Sequence, residues 1–342
     1  MGVIKRRKTS LVEEIEQSTL REPIAKKDFD FKKMISTGST LLDLAISGGR
    51  CRNGGIPGGI ITEIFGPSGS GKTSILSEIG ASVQQRDGEV MFLDPEARLD
   101  QEYARIYQIQ LAAKNYYRPN TVTEVFEKIF SWQPDNNEAI NLIATDSLAA
   151  LSTELELEKG DKMGMRRAKE FSEGLRKTAR IIANNNWIIG CTNQVRDGAY
   201  GETTPGGQAI PFYSSLRIRV AQQDKVIRST KISNKEVKKV IGIKSTCFVK
   251  KSTVDDPYRE ADIYIIFGYG IDDIRGNLQY MKDMKGNTVY DCIDGKTYQS
   301  IDKAIAYIED NNLETKLRDN VINLWNEIEE KFKTNRQKKD RS

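Results

Sequence analysis

An α/β fold, a mostly parallel twisted sheet flanked by helices, is predicted by three features of this 342-residue chain. From Ile35 onward, short β-branched and aromatic runs alternate with helix-compatible stretches. One strand-to-helix junction carries a glycine-rich turn, Gly66-Pro67-Ser68-Gly69-Ser70-Gly71-Lys72-Thr73. After about Phe212 the texture changes to strands joined by polar turns, which adds an antiparallel extension.

Residues 1–35 read as an appended arm. Ser10-Leu11-Val12-Glu13 has capping-box spacing and predicts a short amphipathic helix to about Leu20, followed by Arg21-Glu22-Pro23 and a mixed-charge stretch. Such a segment buries too little apolar surface to fold alone, so it is expected to dock on the core or on a neighbouring subunit. The core is expected over residues 36–268. Its strands are Ile60–Phe65, Val90–Asp94, Ile140–Asp146 and Trp187–Asn193, and its helices Ser74–Arg86, Asn120–Trp132 and Arg166–Asn184. Apolar strands separated by helices give a parallel sheet with right-handed crossovers. Ser215–Gln222, Val240–Lys250 and Ala261–Phe267 are the strands of the antiparallel part.

Near Gly268–Gly276 the pattern breaks. Residues 269–332 are expected as a small C-terminal α+β lobe with helices over 302–311 and 313–332. Leu313, Leu317, Val321, Leu324, Ile328 and Phe332 make an apolar stripe on the second. Residues 333–342 are polar and basic and are expected to be disordered.

Composition narrows the chemistry. Hydrophobic residues are 38% and charged residues 29%, with no apolar run long enough to span a bilayer. The basic start, Met1 to Lys8, lacks an apolar signal core, so a cytoplasmic, membrane-free protein is expected. Four scattered cysteines without a C-x-x-C pair argue against a zinc ribbon or a disulfide frame. There is no histidine, which excludes imidazole catalysis and leaves a carboxylate as general base. The net charge of +4 permits a polyanionic partner without requiring one.

Gly66–Thr73 is a complete G-x-x-x-x-G-K-T phosphate-binding loop between a strand and a helix. Its glycines let backbone N–H groups face a di- or triphosphate, and the helix that follows adds its positive end. Ser74 opens that helix. Lys72 would reach the β- and γ-phosphates and the Thr73 hydroxyl a Mg²⁺ ion. A glycine turn that binds nothing is the alternative.

Hydrolysis also needs a second metal-side carboxylate, a base and a γ-phosphate sensor, expected beyond the carboxyl ends of parallel strands. Asp146 ends a buried strand in the Walker-B pattern and is the metal-side candidate; a helix cap is its plainer reading. Glu96 lies just past Asp94-Pro95 and is the candidate base, against a solvated loop glutamate. Gln194, in Asn193-Gln194-Val195-Arg196, carries a neutral amide suited to sensing a γ-phosphate.

Ile35-Ser36-Thr37-Gly38-Ser39, Gly66–Thr73, Asp94-x-Glu96, Leu142–Ser147, Asn193–Arg196 and Thr203-Thr204-Pro205-Gly206-Gly207 occur in an order and spacing that resembles the RecA recombinases. The likeness spans roughly residues 35–270. Arg166-Arg167-Ala168-Lys169 through Arg176-Lys177 leans toward the archaeal RadA type, so the chain looks like a divergent, phage-type member. The resemblance implies a RecA-like core and a DNA-dependent ATPase using ATP and Mg²⁺. It further implies helical filaments on single-stranded DNA, the arm serving polymerisation, and pairing of that strand with homologous duplex DNA. Mediator or single-strand-binding proteins are further partners that the resemblance implies. It assigns Lys72 and Thr73 to phosphate and metal, Glu96 to water activation, Asp146 to metal and Gln194 to γ-phosphate sensing. Asp100 and Tyr103 match positions that contact adenine.

Two segments would meet DNA: about Leu155–Met165 leading into Arg166, Arg167 and Lys169, with Arg176 further along, and about Val195–Gln208 with Arg196, Gly206 and Gly207. Glycines admit close approach to phosphates and the cations neutralise them, although a basic helix face is often merely solvated. Where bacterial members carry K-x-K acting across the subunit interface, this chain has Lys250-Lys251, of which Lys250 is the candidate. A ring-forming helicase or motor, a paralogue that loads a recombinase, and a signalling ATPase are rival readings of the same core.

Overall fold

Among the apolar strands the side chains alternate between two buried faces. The computed structural model describes residues 33–153, 156, 164–198, 201–233, 235–334 and 336. The arm helix expected after Ser10 and most of the 155–165 segment and of the basic tail lie outside them.

The chain enters with β1 (Met34–Ile35), α1 (Thr40–Ser47) and β2 (Ile56–Pro57), and β1 pairs antiparallel with β2. The core follows as β3 (Ile60–Gly66), α2 (Lys72–Gln84), β4 (Val90–Leu93), α3 (Gln101–Ile106), β5 (Tyr116–Tyr117), α4 (Val122–Ser131), β6 (Leu142–Thr145), α5 (Gly164–Asn185) and β7 (Ile188–Gln194). Then come the short hairpin β8 (Arg196–Gly198) and β9 (Gly201–Thr203), α6 (Ala209–Tyr213), β10 (Leu216–Ile232), β11 (Lys235–Ser252), β12 (Glu260–Ile266) and β13 (Gly270–Ile271).

Among the described residues one sheet has nine strands in the order β13-β12-β11-β10-β3-β7-β6-β4-β5. β10, β3, β7, β6, β4 and β5 run parallel, and β11, β12 and β13 continue antiparallel. Ile60, Ile64, Phe92, Leu142 and Ile188 pack on one face with α1 and α2. Ile61, Met91, Leu93, Ile143 and Ile189 pack on the other with α4 and α5. Burying both faces is what a parallel sheet requires, and it explains strands that read as unbroken apolar runs.

Two expectations need correction. Strand pairing does not stop at Gln222 and resume at Val240. The ladder runs from Asp224 opposite Lys244 to Ile232 opposite Lys235, so β10 and β11 extend as a long ribbon. Ile227 and Ile232 are exposed on it. A ribbon with no buried face carries no apolar alternation, and so it reads as polar loop. The break near Gly268–Gly276 conceals a helix, α7 (Asp273–Lys285), whose cap Asp272 accepts from the Arg275 amide and which ends at Gly286. It buries Arg275, Gly276 and Asn277 besides Leu278 and Met281, so its stripe is partly polar.

The C-terminal lobe is α7, β14 (Tyr290–Asp291), β15 (Thr297–Tyr298), α8 (Ile301–Asp310) and α9 (Glu314–Phe332). Asp273 fastens it to the core by accepting from the Thr40 amide and hydroxyl, each at 2.7 Å. Because β13 pairs with β12, the sheet runs two residues beyond the expected start of the lobe.

Candidate nucleotide site and nucleic-acid interface

The strand order decides where the functional side chains meet. β3, β7, β6 and β4 are successive parallel neighbours, so their carboxyl ends lie along one rim. Gly66 pairs with Gln194, Thr145 with Cys191, and Leu93 with Thr145. The phosphate loop, Glu96, Asp146 and Gln194 therefore emerge side by side.

They line one cavity of about 370 Å³, whose wall includes Ser68, Gly69, Gly71, Lys72, Thr73, Ser74, Glu96, Tyr103, Asp146 and Gln194. Gly71 takes φ +93° and ends the loop as the N-cap of α2, with no side chain capping the helix. The first N–H groups of α2 are thus left for an incoming anion. Ser70 Oγ and Lys72 Nζ both donate to the Pro67 carbonyl, at 2.9 and 2.7 Å, which fixes the loop. Burial lowers the Lys72 pKa, while Asp146 and Glu96 nearby oppose that shift. Burial raises Asp146, against hydrogen bonds from Thr192 and Thr73. A hydroxyl and one carboxylate beside a lysine and an uncapped helix fit a triphosphate with a divalent cation that shares its oxygens.

Glu96 accepts from Ser147 Oγ at 2.7 Å and lies 2.6 Å from Arg98 Nε. Asp94 turns inward and accepts from the Arg98 and Leu99 amides and the Tyr116 hydroxyl, so it shapes the loop carrying Glu96. Asp100 caps α3, accepting from the Tyr103 amide at 2.7 Å, and is not part of the cavity wall, whereas Tyr103 is. Tyr107 supports Tyr103 and donates to Ser74 Oγ at 2.8 Å.

Sequence reasoning missed the opposite wall. Ile265, Ile266, Phe267 and Gly268 close the cavity from the β12–β13 turn, and Phe267 is exposed. No local motif marks them, because they arrive through the antiparallel extension. Ser147 was within reach: it directly follows Asp146 in the quoted strand.

Beyond Gln194 lies the second candidate surface. Arg196 is exposed at the start of the β8–β9 hairpin and pairs with Thr203. The amide of Asn193 donates to the Pro205 carbonyl at 3.1 Å and to Glu63 at 3.0 Å, so both ends of this segment are tied to the tip of β7. A side chain on Gly207 would meet Ala168 Cβ at 3.0 Å, and one on Gly206 would meet Ile210 and Phe171. The glycine pair therefore rests on α5 beside Arg167 and Lys169. Arg166, Arg167 and Lys169 pair with Glu170, Glu156 and Glu173, and Arg176 is exposed further along α5.

Lys250 is exposed on β11 with its ammonium 5.3 Å from the Phe248 ring centroid, outside its own chain's cavity. Lys251 instead holds the carbonyls of Pro211 and Phe212, at 2.8 and 2.9 Å.

The model of the RecA N-terminal domain matches residues 10–272. The chain belongs to the RecA family. Protein RecA of Deinococcus radiodurans is 33% identical over 315 residues, covering 85% of this chain and 79% of that protein. Protein RecA of Borreliella burgdorferi is 33% identical over 316 residues, 88% and 83% of the two chains. Protein RecA of Thermus thermophilus is 37% identical over 248 residues, 70% and 69%. As a member of the RecA family the chain is a DNA-dependent ATPase of recombination and repair that uses a nucleotide and a divalent metal. DNA binding and filament formation accompany that activity in the RecA family. Among the described residues no helix is long and apolar enough to cross a membrane.

Proposed function

We propose that the chain binds ATP with Mg²⁺ in the 370 Å³ cavity, grips single-stranded DNA in the ATP state, and pairs it with homologous duplex. Lys72 and the N–H groups of the phosphate loop hold the phosphates. Thr73 and Asp146 would hold the cation, which supplies charge neutralisation of the phosphates when bound. Glu96, oriented by Ser147, takes the proton of the attacking water. Tyr103 flanks the base, and Asp100 holds the turn beneath it.

The single observation that supports coupling to DNA is the placement of Gln194. It lines the nucleotide cavity, pairs with the first loop residue Gly66, and stands two residues before Arg196. A γ-phosphate bonded to the Gln194 amide holds the tip of β7. Asn193, on the same tip, holds the far end of the 195–208 segment through Pro205. Arg196, Gly206, Gly207 and the α5 cations Arg166, Arg167, Lys169 and Arg176 then present one surface to phosphates. Assembly proceeds head to tail in the cytoplasm, with residues 1–35 as a strap and Lys250 facing the neighbour's nucleotide.

The test is the affinity for a single-stranded oligonucleotide with and without ATPγS, in the wild type and in Gln194→Ala. The wild type is expected to bind at least roughly tenfold tighter with nucleotide, and Gln194→Ala to lose that gain while retaining nucleotide. Equal grip in both states of the wild type would end this reading.

A further inference from the structure

Arg98 is not absorbed by the mechanism above, although it lines the nucleotide cavity and a second one of about 230 Å³ that shares Thr73, Tyr103 and Asp146 with it. Its Nε lies 2.6 Å from Glu96 Oε2, and its side chain is 70% exposed while that of Glu96 is 14% exposed. Ser147 occupies the other carboxylate oxygen. The proposed base thus has both oxygens engaged, one by a neutral hydroxyl and one by a cation. Among the described residues the terminal nitrogens of Arg98 meet no other acceptor, so the guanidinium has donors to spare. Its backbone is fixed, since the Arg98 and Leu99 amides donate to Asp94 at 3.2 and 2.8 Å. The charge of Arg98 also reaches Lys72, where it adds to the depression caused by burial.

We propose that Arg98 is a γ-phosphate-responsive positioning residue: its guanidinium holds Glu96, and a γ-phosphate draws it off the carboxylate. A planar guanidinium offers several donors and pairs with either anion. A terminal phosphate carries more charge than a carboxylate and enters a cavity already open to the guanidinium. The exchange needs only a side-chain rotation about a fixed backbone. Oε2 of Glu96 is then released toward water while Ser147 keeps Oε1 in place. A nucleoside diphosphate lacks the group that draws Arg98 away, so the device separates ATP from ADP.

The proposal rests on the reading of Glu96 as base, but its test reads binding rather than turnover. Affinities of the full chain for ATPγS and ADP are measured by calorimetry in the absence of DNA, with urea midpoints to establish that each variant folds. Arg98→Ala is expected to weaken ATPγS about five- to tenfold and ADP less than about twofold, and Arg98→Lys to restore part of the loss. Glu96→Gln frees the guanidinium and is expected to tighten ATPγS about threefold. That gain should vanish in Glu96→Gln/Arg98→Ala, giving a non-additive cycle. An additive cycle, or an Arg98→Ala effect equal on ATPγS and ADP, overturns the hand-over. Wild-type turnover in Glu96→Gln would remove Glu96 as base while leaving the binding cycle to judge Arg98.

Discussion

Two carboxylate–guanidinium pairs of the same length stand on either side of the phosphate loop, and they do different work. Glu63 and Arg217 are 2.6 Å apart with side chains 0% and 18% exposed. Asn193 bonds the other Glu63 oxygen, and the Arg217 guanidinium lies 4.4 Å from the Phe65 ring centroid. Glu96 and Arg98 are also 2.6 Å apart, but Arg98 is 70% exposed. In the first pair both charges are desolvated and every partner is fixed, so the pair belongs to the frame that joins β3, β7 and β10. In the second pair one member is bathed in solvent and can be exchanged for another anion. Distance alone does not separate them; burial does.

The largest effect follows from the buried pair. Arg217→Met strands the Glu63 carboxyl in the core without its cation and is expected to cost about 3–5 kcal/mol in urea unfolding. A cost near that of a surface substitution would erase the contrast. Glu96→Gln moves function instead. Turnover should fall roughly 100-fold, the usual scale for a general base, with the urea midpoint close to wild type. Undiminished ATP hydrolysis would place the base elsewhere.

The parallel half of the sheet was legible because each strand there is a run of apolar residues ending in a polar one. Val90–Leu93, Leu142–Thr145 and Ile188–Gln194 begin and end within two residues of expectation. The candidate residues just beyond those strand ends are brought together, since strand order places Glu96, Asp146 and Gln194 on one rim. What escaped lacks either periodicity or proximity in sequence. The β10–β11 ribbon has no buried face to impose alternation. Helix α7 buries Arg275, bonded to Asp272 and Asp302, and Asn277, whose Nδ2 donates to Asp273, so its buried face does not read as an apolar stripe. Phe267 lines the same cavity as the phosphate loop only because β12 folds back along β11.

A third pair lies between the extremes. Arg219 and Glu202 form two hydrogen bonds, at 2.7 and 2.5 Å, with side chains 22% and 39% exposed. They tie the β8–β9 hairpin, which carries Arg196, to β10. Arg219→Ala is expected to cost about 0.5–1 kcal/mol, between the other two pairs. It should also weaken oligonucleotide binding about threefold by loosening that hairpin. The Arg219 hydrogen bond, with its charge and that of Lys250 behind it, holds the Glu202 pKa below its ordinary 4.5. A lowered native pKa means the contribution is full above pH 4.5 and lost as pH falls through the native value. The difference in urea stability between wild type and Arg219→Ala should therefore close as pH falls from 6 to 3. A difference that persists at pH 3 would show that packing of the guanidinium, rather than its charge, holds the hairpin.

The smallest expected effect is the sharpest test of the comparison. Arg98→Ala removes a pair as short as Glu63–Arg217, yet its cation is solvated with or without the partner. Its backbone loop is held independently, by Asp94 accepting from the amides of residues 98 and 99 and from Tyr116. Losing the pair returns Glu96 to Ser147 and to solvent, not to an apolar core. The expected change in unfolding free energy is within about 0.5 kcal/mol, the scale of surface substitutions away from special features. A loss of several kcal/mol would make Arg98 part of the frame like Arg217. A guanidinium so bound to the frame could not change partners when a phosphate enters.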